Sequence, residues 1–291
     1  MVLLHRTFHR SIKFHFALDQ PTHENSDSDS ASLRGFRSGV FDFASKSMLE
    51  SGAAGSLSWL QNCFRLIRFT NRSFSDMTAA MDYPTDRWGT AAVEEYFSYT
   101  LAVLHLLNLI TEAVLHLRHA RVSASQTPHR IAIPPRSFSG GDLNRIIAGR
   151  NRESEEIQTA DNKERVLLRA LGISKEISVS SLGLVLSGLC GDKEIYLEIA
   201  KIQTEDDDGD GDDDSSSLQN LRKQLVLNLK EGSTEEVKQV NAAVEGRRDS
   251  KRELEILEKA IEGIEAEANN LFSETMAARN QLLDICRNQL K

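Results

Sequence analysis

The C-terminal segment limits the fold more than any other part of the chain. Leu254, Leu257, Ile261, Ile264, Ala268, Leu271, Thr275, Ala278, Leu282 and Ile285 follow one another in alternating steps of three and four. A helix gathers residues so spaced onto one stripe, whereas a strand would scatter them over both faces. Sustained this far, the stripe is the a/d seam of a coiled coil or a long bundle helix. Glu255 and Lys259 add an i,i+4 ion pair in the favourable order. A seam this long needs partner helices of comparable length.

The chain supplies them. From Ser56 to Met81 apolar residues recur at 60, 63, 64, 67, 74, 77 and 81, with Ser56 or Ser58 placed as the N-cap. Pro84 stops that helix. Thr85 or Asp86 is then placed to cap a second, running to about Arg121 through Val93, Tyr96, Phe97, Leu101, Leu104, Leu107 and Val114. Leu101 to Leu117 is apolar on nearly every face, but its seventeen residues reach only about 25 Å, short of a ~30 Å hydrocarbon core. His105, Asn108, Glu112 and His116 also interrupt it, so a central bundle helix is expected rather than a membrane span. Asp142 to Leu171 is helical in pattern with Gly172 as its stop, and Ile177 to Leu189 reads as a second buried helix. Leu218 to Leu229 is a short amphipathic helix, and Ser233 with Glu236 forms a capping-box signature. No stretch of useful length alternates with period two. The expected fold is all-α, an elongated antiparallel helical bundle over 56–291 with a long C-terminal coiled-coil-like helix. An irregular connection at 123–141, marked by Pro128, Pro134, Pro135 and a Gly-Gly pair, and a disordered acidic linker at 205–217 interrupt it.

Residues 1–55 read as a mostly disordered tail. Within it, residues 1–18 carry Arg6, Arg10, Lys13 and three His but no acid, with Leu4, Phe8, Ile12 and Phe16 at four-residue intervals. A transit peptide, a membrane-surface helix and a frayed tail all fit that pattern. A secretory signal does not, for want of an uninterrupted apolar stretch. The Ser/Asp run within 19–35 is expected to be disordered, and Gly35 to Gly55 to be a loosely attached linker.

Charge and chemistry exclude several function classes. Of 43 acids, eight lie between Glu205 and Asp214; without them 35 acids face 35 bases. The folded part is near neutral, and Arg145, Arg150 and Arg152 are too few for a nucleic-acid stripe. Asp206, Asp208, Asp210 and Gly211 match half a calcium loop, but Ser217 stands where its bidentate Glu belongs. Glu112, His116 and His119 lie a turn apart without a pattern that completes a tetrahedral metal set. Cys63, Cys190 and Cys286 each sit in apolar helical surroundings, as packing thiols do. Asn71-Arg72-Ser73 is a glycosylation sequon without a secretory context. Neither a phosphate loop nor a hydrolase elbow is present. No catalytic, cofactor or metal site is expected.

Three blocks resemble the plant BYPASS family, the BPS-like or ROH-like developmental regulators. The first is Leu57-Ser58-Trp59-Leu60, with Tyr83-Pro84-Thr85-Asp86-Arg87-Trp88 and the Leu-rich helix after it. The second is Lys163 to Leu171 with its apolar run, and the third Leu271-Phe272 through Leu283. They stand in the family's order, although the connection 123–163 is short and an acidic tract replaces an amphipathic helix. The resemblance implies a non-enzymatic helical protein of root and shoot development, restraining a mobile root-derived signal that arrests shoot growth. It implies protein partners met through helical surfaces, exocyst-type trafficking components among them. The alternative function is a membrane-associated, exocyst-linked trafficking factor, with peripheral membrane association through residues 1–18 or through 101–117 with 177–189. The expected compartment is the cytoplasm and its endomembranes, with plastid or mitochondrion as the alternative that the basic pattern of residues 1–18 opens.

Overall fold

A computed structural model describes residues 24–49, 55–127, 129–147, 161–205, 234–246 and 249–289. In chain order its helices are α1 (Glu24–Ala44), α2 (Leu57–Ala80), α3 (Thr90–Gln126), α4 (Gly140–Ile147), α5 (Asn162–Cys190), α6 (Lys193–Glu205), α7 (Glu235–Glu245) and α8 (Lys251–Gln289). A single π turn, Ser45–Leu49, follows α1, and a 3₁₀ turn, Thr85–Arg87, precedes α3. The described residues contain no strand, so the fold is all-α, with α8 as the long C-terminal helix.

The predicted seam is the buried face of α8. Leu254, Leu257, Ile261, Ile264, Ala268, Leu271, Thr275 and Leu282 are all buried, with Ala278 and Ile285 half-buried near the far end. This face packs on α2 and α3. The second diagonal is held by α5, which also packs on both. Directions follow from particular contacts. Lys163 near the start of α5 donates to Met81 O at the end of α2 (2.6 Å), so those helices are antiparallel. Lys175 meets Glu95 and Ser178 meets Tyr99, so α5 runs parallel to α3. Arg118 pairs with Glu265 and Arg279 with Phe97 O, which makes α8 antiparallel to α3 and parallel to α2. The chain therefore returns the whole length of α3 before α5 begins, and 127–161 carries it.

Helix ends follow local chemistry in most places. Ser56 caps α2 as expected, its hydroxyl accepting from Trp59 N at 3.0 Å. Asp82 takes the left-handed conformation (φ 49°) just past the end of α2, and Pro84 prevents continuation. The expected cap at Thr85 or Asp86 makes only the 3₁₀ turn; α3 begins at Thr90 with Gly89 as its N-cap. Residue 88 must be extended (ψ 133°) there so that its indole can turn inward between Phe74 and Tyr96.

Several expectations are corrected. Residues 24–44 are helical rather than disordered, because Phe36, Val40 and Ala44, spaced by four, bury against α2 and α5. Phe43 stacks on Phe69 (4.3 Å between centroids) and fastens the Gly35–Gly55 stretch on α2. Residues 142–171 are not one helix: α4 ends at Ile147 and α5 starts at Asn162. Gly172 does not stop α5. An exposed glycine costs a helix about 1 kcal/mol, less than the buried turns on either side contribute. The stop is Gly191, in the left-handed conformation (φ 62°) that only glycine adopts freely. Finally, Lys193–Glu205 forms α6, a helix absent from the sequence expectations, whose Ile195, Tyr196, Ile199 and Ile202 bury against α5 and α4. Residues 1–18, the acidic tract 206–217 and the segment 218–229 lie outside the described residues.

The capping box is also rearranged. Thr234 holds the N-cap of α7 without a side-chain hydrogen bond, and Glu236 turns to another helix. Both its oxygens accept from Leu57 N at 3.0 Å, and the carboxylate is buried. One residue earlier, Glu235 N donates to Gly55 O (3.2 Å). Thus α7 caps α2, an element 179 residues away.

Two stability outcomes are expected. Ile264→Asp places an unpaired carboxylate at a fully buried position and should cost about 3 kcal/mol or more; chemical denaturation with an unchanged midpoint would show the seam exposed. Glu236→Ala strands the Leu57 amide and should cost roughly 2 kcal/mol, read as a lower melting temperature with the helical content retained.

Candidate interaction surface

Three faces of α3 do different work. Ala92, Tyr99, Leu106, Ile110, Ala113 and Leu117 point into the core. Tyr99 donates to Asn71 Oδ1 of α2 (2.9 Å) and meets Ser178 Oγ of α5 (3.0 Å), joining three helices through one hydroxyl. Burial pushes its pKa up to about 12, so it is a neutral donor throughout the physiological range. Burial raises Tyr96 as well. Edge-to-face contacts link Phe36, Phe74, Trp88, Tyr96 and Tyr99 into one aromatic row through α1, α2, a residue just before α3 and α3 itself.

The second face meets α8 through cations. Arg118 donates to Glu265 and Arg121 to Glu258; on α2, Arg68 bridges Glu267 and Glu274. Partly exposed pairs of this kind contribute little each, about 0.2–1 kcal/mol, and mainly fix the register of long helices. Arg279 reaches deeper. It donates to Phe97 O (2.7 Å) and Thr100 Oγ1 (2.9 Å) while its guanidinium lies 4.7 Å from the Phe97 ring centroid.

The third face points outward. Leu101 (44% exposed), Asn108, Leu115 (50%) and Val122 (41%) recur at steps of seven, which holds them on one side of the helix. His105, Glu112 and His119, all exposed, form the column beside them. Single exposed leucines are ordinary; three large apolar side chains aligned along one long helix form a surface suited to another helix. On α8, Glu255 and Glu262 are also exposed, each one turn before a glutamate that pairs with α3 (Glu258 and Glu265). That helix therefore turns acidic groups to solvent beside its contact with α3.

The residues weighed for chemistry fall in separate places. Glu112 accepts from Ser137 Oγ (3.3 Å), while His116 is half-buried and His119 exposed. Among the described residues, no group of three or more His, Cys, Asp or Glu is placed to hold a metal ion. Arg145 is exposed on α4, and Asn71 is engaged by Tyr99. Cys63 and Cys190 are buried and Cys286 half-buried. Two helices, α3 and α5, are long and apolar enough by composition to cross a membrane, but much of their apolar surface is buried inside the bundle. The Arg–Glu pairs and the Glu236 cap were missed from sequence. Arg118 and Arg121, one turn apart, and Glu258 and Glu265, seven apart, were their only visible signal.

No protein-family model, curated protein or solved structure matches the chain.

Thiol chemistry should sort the cysteines. Burial raises Cys63, and it pushes Cys190 up to about 11, so both remain protonated at pH 8. A thiol reagent at that pH should label Cys286 first, with Cys63 and Cys190 reacting only on unfolding. A folded pKa above the unfolded one stabilises below the ordinary thiol range and is lost as pH rises through the folded value. Stability should therefore fall between about pH 9 and 11, read from melting temperatures across that window.

Proposed function

We propose that this chain is a non-enzymatic helical interaction protein of the BYPASS kind, a regulator of plant root and shoot development that restrains a mobile root-derived signal. The observation that carries the reading is the outward face of α3, with Leu101, Leu115 and Val122 aligned on it. A rigid helix held on two sides by α5 and α8 presents that face already ordered, so a partner helix docks without a folding cost. The exposed Glu255, Lys259 and Glu262 of α8 add a rim of mixed charge beside it. The site of action is the cytoplasm, where exocyst-type trafficking components are among the partners that such a face would meet.

The test is capture from plant tissue by wild type and by the triple variant L101D/L115D/V122D. Surface changes should leave the melting temperature nearly unchanged, within about 0.5 kcal/mol per site. At least one partner recovered reproducibly with wild type should be lost with the variant. An identical set of captured proteins for the two chains would count against this face.

A further inference from the structure

From His129 to Ser139 the chain is in neither helix nor strand between α3 and α4. Its contacts are those of a docked peptide. The Asn241 carboxamide on α7 pairs with both main-chain groups of Ile131: Ile131 N donates to Oδ1 (2.7 Å), and Nδ2 donates to Ile131 O (3.3 Å). An amide that satisfies both groups of one residue takes the place of a neighbouring strand and reads extended backbone. Ile131 and Pro134 are buried. At one end Arg130 pairs with Glu245 of α7 (3.1 Å). At the other, the Arg136 fork engages both oxygens of Glu198 on α6, with Asp192 at 3.9 Å and the Phe138 ring beside it.

Opposite charges meet at the two ends of this contact. Residues 127–141 contain no acid and carry His129, Arg130 and Arg136, while the surface beneath contributes Glu112, Asp192, Glu198 and Glu245. Pro134-Pro135 holds the segment extended before it docks, which lowers its ordering cost. The exposed Arg130–Glu245 pair does little to hold the strap in place.

We propose that the surface of α7 and α6 covered by this strap is a peptide-docking site, occupied in cis by residues 129–139. Its partner in trans is an extended, basic, proline-containing peptide with a branched apolar residue for the Ile131 position. The inference rests on the interaction reading above and narrows it to one recognised class of ligand.

A fluorescently labelled peptide of residues 129–139, titrated into the full chain by anisotropy, tests it. Wild type should bind weakly, because the tethered strap competes at high effective concentration. Arg136→Gln loosens the strap and should tighten peptide binding about tenfold; adding Asn241→Ala should abolish that gain. The proposal is overturned if the Arg136→Gln chain, with unchanged helical signal, binds no better than wild type. It is overturned equally if a scrambled peptide of the same composition binds as well, or if Arg136→Gln unfolds the chain, since the strap is then structural. The α3 variant L101D/L115D/V122D should bind the peptide as wild type does, so failure here is distinguishable from failure of the α3 face.

Discussion

A helix buried on every side must hide its backbone, satisfy its polar groups and still leave room for its neighbours. The fold depends on α5 meeting all three demands. Every residue from Ile177 to Ser187 is buried, with α1, α2, α3 and α6 packed around the helix. Small residues supply the room: a Cβ on Gly188 would stand 2.7 Å from Leu60 Cδ1, and one on Gly183 2.7 Å from Ile199 Cδ1. Four of the hydroxyls that come with this smallness are paired. Ser174 donates to Ala170 O, Ser180 to Gln203 Oε1 and Ser187 to Asp192 O, while Ser178 meets Tyr99. An apolar helix of larger side chains would have pushed α2 and α6 outward and opened voids, with a cost that grows with their volume.

Around that centre, specificity comes from polar contacts at the periphery of the core. Arg68, Arg118, Arg121 and Arg279 set the register of α8, since an apolar seam alone tolerates a shift by one heptad. The eleven residues of α7 hold three separated pieces of chain: α2 through Glu236, the strap through Asn241 and α8 through apolar packing. A short helix cannot be stable alone, so α7 is folded by what it clips together. Its contacts also make it the element through which the strap's docking surface and the start of α2 are coupled.

The sequence was legible where one element carries its own signal. The α8 seam, the Ser56 cap, the Pro84 stop and the buried character of 177–189 all follow from local spacing and sterics, whereas 101–117, apolar on nearly every face in sequence, leaves one face exposed. It was misread where two local signals competed. The Ser/Asp run of 24–30 hid the Phe36-Val40-Ala44 stripe, and Gly172 looked like a stop because propensity takes no account of burial on both sides. For the candidate surfaces, the apolar residues of α3 were visible, but which of them faced outward was not. Leu104 and Leu101 are alike in sequence, yet only the packing of α5 and α8 decides that the first is buried.

Sequence by itself determined that this chain is helical, roughly where α2, α3 and α8 lie and which stripe of α8 would be buried. Periodicity and capping act over one or two turns, so they are written locally. Tertiary structure alone decided that Glu236 serves α2 rather than its own helix. It alone decided that Asn241 reads the backbone of Ile131, 110 residues away, and that Arg136 closes on Glu198. Those partners are adjacent only after the bundle has assembled, because a hydrogen bond is specified by position in space and not by spacing along the chain.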